Sequence, residues 1–100
     1  MTLFEPGRIV TTPGIAELFD RWRTDTDSSP KAAHARLIGF VLLHLGGHWG
    51  DVDHHDAAAN TNAVRNGHRI MSAYTFHGQR IWIITEADRT VTTALLPSEY

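Results

Sequence analysis

The chain has no cysteine, no long uninterrupted apolar run and little net charge, and each absence removes a class of protein. Without cysteine there are neither disulfides nor thiolate chemistry, an absence that is silent about compartment. The longest apolar stretch, Leu37 to Leu45, is interrupted by Gly39 and His44 and is far shorter than the ~20 residues that cross a bilayer. No basic segment leads into an apolar block near Met1, as a secretory signal would require, so a cytoplasmic protein without membrane contact is expected. Nine basic and eleven acidic side chains leave a net charge of -2 with histidine neutral. There is thus no global basic field, and nucleic acid, not indicated by net charge, would have to meet a local patch. Seven histidines make the charge sensitive to pH, because an unperturbed imidazole titrates near pH 6.5.

What is present is ordinary for a globular protein: 100 residues, 42 % apolar and 20 % charged, make one α+β domain, 1–100, with a core of its own. Arg8 to Thr12 are rich in β-branched residues and read as an edge strand entered through Pro6-Gly7. Thr12-Pro13 is a helix cap followed by proline in the first turn, and Ile15, Leu18, Phe19 and Trp22 recur at the spacing of one helical face. After a polar loop at Thr24 to Ser28, Ser29-Pro30 repeats the signature. It opens a second helix that runs to about Leu45 and stops at Gly46-Gly47. Apolar residues go most of the way round this helix, which makes it the central one.

His44 lies on the stripe of Leu37 and Val41, and His48 would extend that line by a turn if the glycines did not intervene. A core histidine bonded to a backbone carbonyl is the reading the sequence favours, since buried polar groups are normally satisfied locally. The alternative is a ligand or a general base. Trp49 reads as a core plug and Asp51 as a cap at the helix junction. Asp53 is then the N-cap of a third helix, with Asp56 three residues on, ending near Arg65 before Asn66-Gly67. Its buried side is mostly alanine, with Asn60 and Asn62 exposed or bonded locally.

From Arg69 the apolar period becomes two, and His77-Gly78 supplies a hairpin turn. That turn sets Tyr74 opposite Ile81, Ser72 opposite Ile83, Ala73 opposite Trp82 and Arg69 opposite Glu86. A third strand, Val91 to Leu96, is closed by Pro97. The expected fold is three helices followed by a three-stranded antiparallel meander, with the N-terminal segment available as a fourth, edge strand. Apolar residues occupy both faces of the meander, Tyr74, Ile81, Ile83 and Leu96 on one and Met71, Trp82, Ile84 and Leu95 on the other. Something such as a dimer partner should cover the second face.

Several stretches resemble a family of small uncharacterised "plasmid-related" proteins, some of which carry the label of a type I restriction subunit. They are Gly7-Arg8-Ile9-Val10 with Thr12-Pro13-Gly14, His48-Trp49-Gly50-Asp51-Val52, Arg69 to Tyr74, Ile81 to Arg89, and Leu95 to Tyr100. The resemblance implies a protein of plasmids and other mobile elements, and it brings no activity with it. The chain departs from the family's pattern at His48, where aspartate is expected, and in an insertion-like region from Arg21 to Lys31.

Three functions fit these residues. The first is an interaction module that binds a protein partner or itself through Tyr74, Ile81, Trp82 and Ile84, and needs no cofactor. The second is a metal-independent ribonuclease of the barnase, EndoU and RelE kind. It would take His44 or His48 as base, Arg69 and Arg89 as cations, and Ser72, Tyr74, Thr85 and Thr92 as orienting hydroxyls. The third is a metal site drawn from His44, His48, Asp51, His54 and His55.

Overall fold

Each helix starts at a capping side chain. In α1 (Pro13–Asp25) the Thr12 hydroxyl accepts the Ile15 N–H, and in α2 (Pro30–Leu45) Ser29 accepts that of Ala32. In α3 (His54–Asn66) the Asp53 carboxylate accepts the Asp56 N–H at 2.8 Å. Gly67, at φ 71°, ends α3 in the left-handed conformation that glycine tolerates. α1 runs to Asp25, beyond the expected loop start, and the Thr24 and Thr26 hydroxyls bond back to the carbonyls of Asp20 and Trp22.

The computed structural model describes residues 1–100 throughout. Four strands, β1 (Arg8–Thr11), β2 (Ile70–Phe76), β3 (Gln79–Thr85) and β4 (Val91–Leu95), form one sheet in the order β1-β4-β3-β2. His77 and Gly78, both at positive φ, make the two-residue turn, and Tyr74 faces Ile81, Ser72 faces Ile83 and Ala73 faces Trp82 as expected. The N-terminal strand does join the sheet, but parallel to β4, so the sheet is mixed and not a pure meander. The pairing of a four-residue strand is set by long-range packing, and its composition carries no record of it. Pairing of β2 with β3 ends at Ile70 and Thr85, so the expected Arg69–Glu86 pair does not form. Arg69 lies over the Tyr100 ring instead, 5.0 Å from its centroid.

The helices cover one face of the sheet. Ile15, Leu18 and Phe19 of α1 and Val41 and Leu45 of α2 pack with Ile70, Tyr74, Phe76, Ile81, Ile83 and Ala94. Phe76 stacks on Phe19 with centroids 4.4 Å apart. The opposite face carries Met71, Ala73, Trp82, Ile84, Thr93 and Leu95 by strand alternation. It is covered at one end by the short 3₁₀ turn Pro97–Glu99 and by Tyr100, whose ring meets Trp82 edge-on at 5.6 Å. No helix is long and apolar enough to cross a membrane.

Asn60 overturns an expectation. It is buried, not exposed, and its side chain accepts the Met71 N–H and donates to the Met71 carbonyl, at 3.2 and 2.7 Å. Standing three residues from Ala57 and three from Ala63, it lies on the inward stripe of α3, a signal that the spacing contained. Asp51 is likewise not a helix cap. Its N–H donates to the Ala73 carbonyl and its carboxylate accepts the Thr75 hydroxyl, which ties the connector to the outer edge of β2. Trp49 is the core plug expected of it, packed beside Phe4 and His44.

Candidate functional site

The structure brings four of the expected nuclease residues together. His44 Nδ1 lies 2.6 Å from Ser72 Oγ and its Nε2 lies 2.9 Å from Thr85 Oγ1. Thr85 continues to Thr92 at 2.7 Å, and the Thr92 hydroxyl donates to the Pro6 carbonyl at 2.7 Å. The direction of this chain follows from its end. Thr92 spends its proton on Pro6, so Thr85 donates to Thr92 and accepts from His44 Nε2–H, which leaves Nδ1 to accept from Ser72. A neutral imidazole satisfies every member, and no buried side-chain polar atom lacks a partner.

The Ser72–His44 pair has the separation of a nucleophile and its base. Its surroundings exclude that role. His44, Ser72, Thr85 and Thr92 are all 0 % exposed, walled by Phe4 and Trp49, so no substrate reaches them in the folded protein. Burial and, secondly, the Arg89 charge hold the His44 pKa down to about 4. The residue is thus a core histidine, as the sequence favoured, but its partners are hydroxyls and not a backbone carbonyl. The shared face of Ser72, Thr85 and Thr92 was legible from period and turn; that it lies under the helices was not.

Arg89 is not free to hold a phosphate either. Its guanidinium donates to the carbonyls of Ala63, His68, Glu86 and Ala87, binding the end of α3 to the β3–β4 turn. Lysine cannot span such a fork of acceptors, so Arg89→Lys is expected to lower stability by roughly 1–2 kcal/mol. Urea midpoints of the two proteins measure this; equal midpoints would show that the fork contributes nothing.

The remaining candidates are dispersed. Burial raises the Tyr74 pKa, and its hydroxyl donates to the His48 carbonyl at 2.6 Å, so it is a core strut and not an orienting group. The His48 side chain is exposed at the end of α2, and His54 and His55 are exposed in the first turn of α3. His44, His48, Asp51, His54 and His55 do not converge, and no three His, Asp or Glu side chains are grouped to hold a metal ion. The expected interface set also separates. Tyr74 and Ile81 face the helices in the core, and Ile84 is buried at 3 %, so of the four only Trp82 reaches a surface.

Around Trp82 there is a groove of about 380 Å³ between α3 and the sheet face left free by the helices. Met71 and Trp82 form its floor, Asp56 and Ala59 of α3 one wall, and Arg69 and Tyr100 the other. Sequence reasoning missed Tyr100 and Asp56, because α3 and the C-terminal residues meet here only through tertiary packing. Chemically the groove offers an apolar, aromatic floor with one cation and one carboxylate at its margins. Compared with protein-family models, characterised proteins and solved structures, the chain matches none.

Proposed function

We propose that this is a binding module without catalysis, which holds an extended segment of another protein in the Trp82 groove. The observation that supports this is a contrast in access. The residues arranged for proton transfer are sealed, whereas the aromatic floor at Trp82 stays half-buried beside Arg69 and Asp56. A partly buried Trp and an exposed Tyr flanked by Arg have the composition of interface anchors. The ligand that suits it is an apolar or aromatic side chain for the Met71–Trp82 floor, followed by an acidic one for Arg69. On the motif resemblance, its source is a protein of a mobile element or of the element's host.

Peptides selected from a displayed random library against the purified protein test the reading. They should share an aromatic-acidic pattern and bind Trp82→Ala at least tenfold more weakly, a loss of about 1.4 kcal/mol or more. Leu42→Ala, on the exposed side of α2, should leave them unaffected. Peptides that bind Trp82→Ala as tightly as the parent protein would refute the groove.

A further inference from the structure

The two edges of the sheet are treated differently. On β2 the Ala73 N–H donates to the Trp49 carbonyl at 3.1 Å, its own carbonyl accepts the Asp51 N–H at 2.6 Å, and Asn60 occupies both backbone groups of Met71. That edge is closed at Met71 and Ala73. β1 is the other edge, and it is paired on one side only. The N–H groups of Arg8 and Thr12 donate inward to the carbonyls of Thr90 and Ala94, at 2.9 and 3.1 Å. Backbone groups alternate in direction along a strand, so those of Ile9 and Thr11 point out into solvent. β1 has no proline and no bulge, and Ile9 is 42 % exposed; its only guards are its length of four residues and the charge of Arg8, which the pairing below employs.

We propose that β1 pairs antiparallel with β1 of a second copy of this chain, about a two-fold axis at Val10, joining two four-stranded sheets into one of eight. Ile9 then exchanges hydrogen bonds with Thr11 of the partner subunit, and Thr11 with Ile9 of the partner subunit. Val10 faces Val10 of the partner subunit. Charge selects this register over its neighbours. Arg8 forms no ion pair within one copy, and here it lies across from Thr12 of the partner subunit. In each copy the Thr12 hydroxyl holds the Glu99 carboxylate at 2.5 Å, and Arg8, Val10 and Thr12 share one side of the strand. The register thus brings each unpaired guanidinium to a carboxylate. Moving the axis to Thr11 would set Pro13, which has no N–H, opposite Ile9. One short strand buries less than the ~1,200 Å² of standard interfaces, so the dimer is a weak one that forms at high concentration. The pairing does not depend on the Trp82 groove, and either can fail alone.

The absence of cysteine makes a direct test available. Across a two-fold at Val10 the two Cα atoms stand about 4.5 Å apart, as in any non-hydrogen-bonded antiparallel pair. A disulfide spans that distance. Val10→Cys should therefore cross-link on mild oxidation at least tenfold faster than Ala58→Cys, a more exposed position on α3. Ile9→Pro removes an outward N–H and no bond to β4, and added to Val10→Cys it should abolish the cross-link without lowering the melting temperature by more than a few degrees. Should that variant unfold, Arg8→Glu in the Val10→Cys protein serves instead and should slow cross-linking severalfold at low salt. Cross-linking of Val10→Cys no faster than Ala58→Cys, or undiminished by both second substitutions, would overturn the proposal.

Discussion

Folding stability is expected to fall by roughly 3 kcal/mol as the pH drops from 6.5 to about 4, with His44 as the cause. In the unfolded chain the imidazole takes up a proton near pH 6.5. In the folded protein it stays neutral until about pH 4, because it is buried at 0 % exposure and faces the Arg89 charge. Between those values the unfolded state binds the extra proton, so unfolding gains with each step of acidification; above pH 6.5 the contribution is fully present. For a domain of this size the loss corresponds to a melting temperature lower by about 10–20 °C. The carboxyls of Asp88 and Glu99 act at lower pH. Hydrogen bonds, chiefly from the Thr90 and Thr12 hydroxyls, hold both below the usual carboxylate range. Their stabilisation is present above the unfolded value and is surrendered only as the pH falls through the lower folded one. Melting curves from pH 8 to about 5 therefore separate His44 from these two carboxyls. His44→Leu should be roughly 2–3 kcal/mol less stable at pH 7, since Ser72 loses its acceptor and Thr85 its donor, yet nearly flat across the window. A variant that kept the parental slope would show that another group carries the acid sensitivity.

The second large effect is expected at Gly50. Its φ of 77° lies in the left-handed region, and a Cβ there would overlap the Ala73 carbonyl oxygen and sit 2.7 Å from the Tyr74 ring. The close approach is what lets Trp49 and Asp51 flank Ala73 and close the β2 edge. Gly50→Ala must push the connector off the strand, with roughly 3 kcal/mol lost and β2 amides exchanging faster. Gly67→Ala provides the comparison. It shares the left-handed φ, at 71°, but has nothing within 4 Å of its added carbon, so only the backbone strain of about 1 kcal/mol is expected. Urea midpoints of the two variants separate overlap from conformation. Equal losses would mean that the connector moves aside freely and that the edge is not held there.

The sequence by itself determined whatever depends on neighbours within a few residues. Thr12, Ser29 and Asp53 cap because an oxygen three residues ahead of a free N–H acts whatever lies elsewhere. The His77-Gly78 turn and the period of two were enough to set the β2–β3 register and to place Ser72 beside Ile83. Only the tertiary structure decided which face of the sheet the helices cover. With it were decided the role of His44, which could have been a base in a cleft and is a hydrogen-bonded member of the core, and the survival of Trp82 alone at a surface. It also decided that β1 lies parallel to β4 and that Asn60 and Gly50 close the opposite edge. The physical reason is common to these cases. Burial and long-range pairing are set by the packing of segments tens of residues apart, and the same residue types at the same spacing are compatible with either outcome.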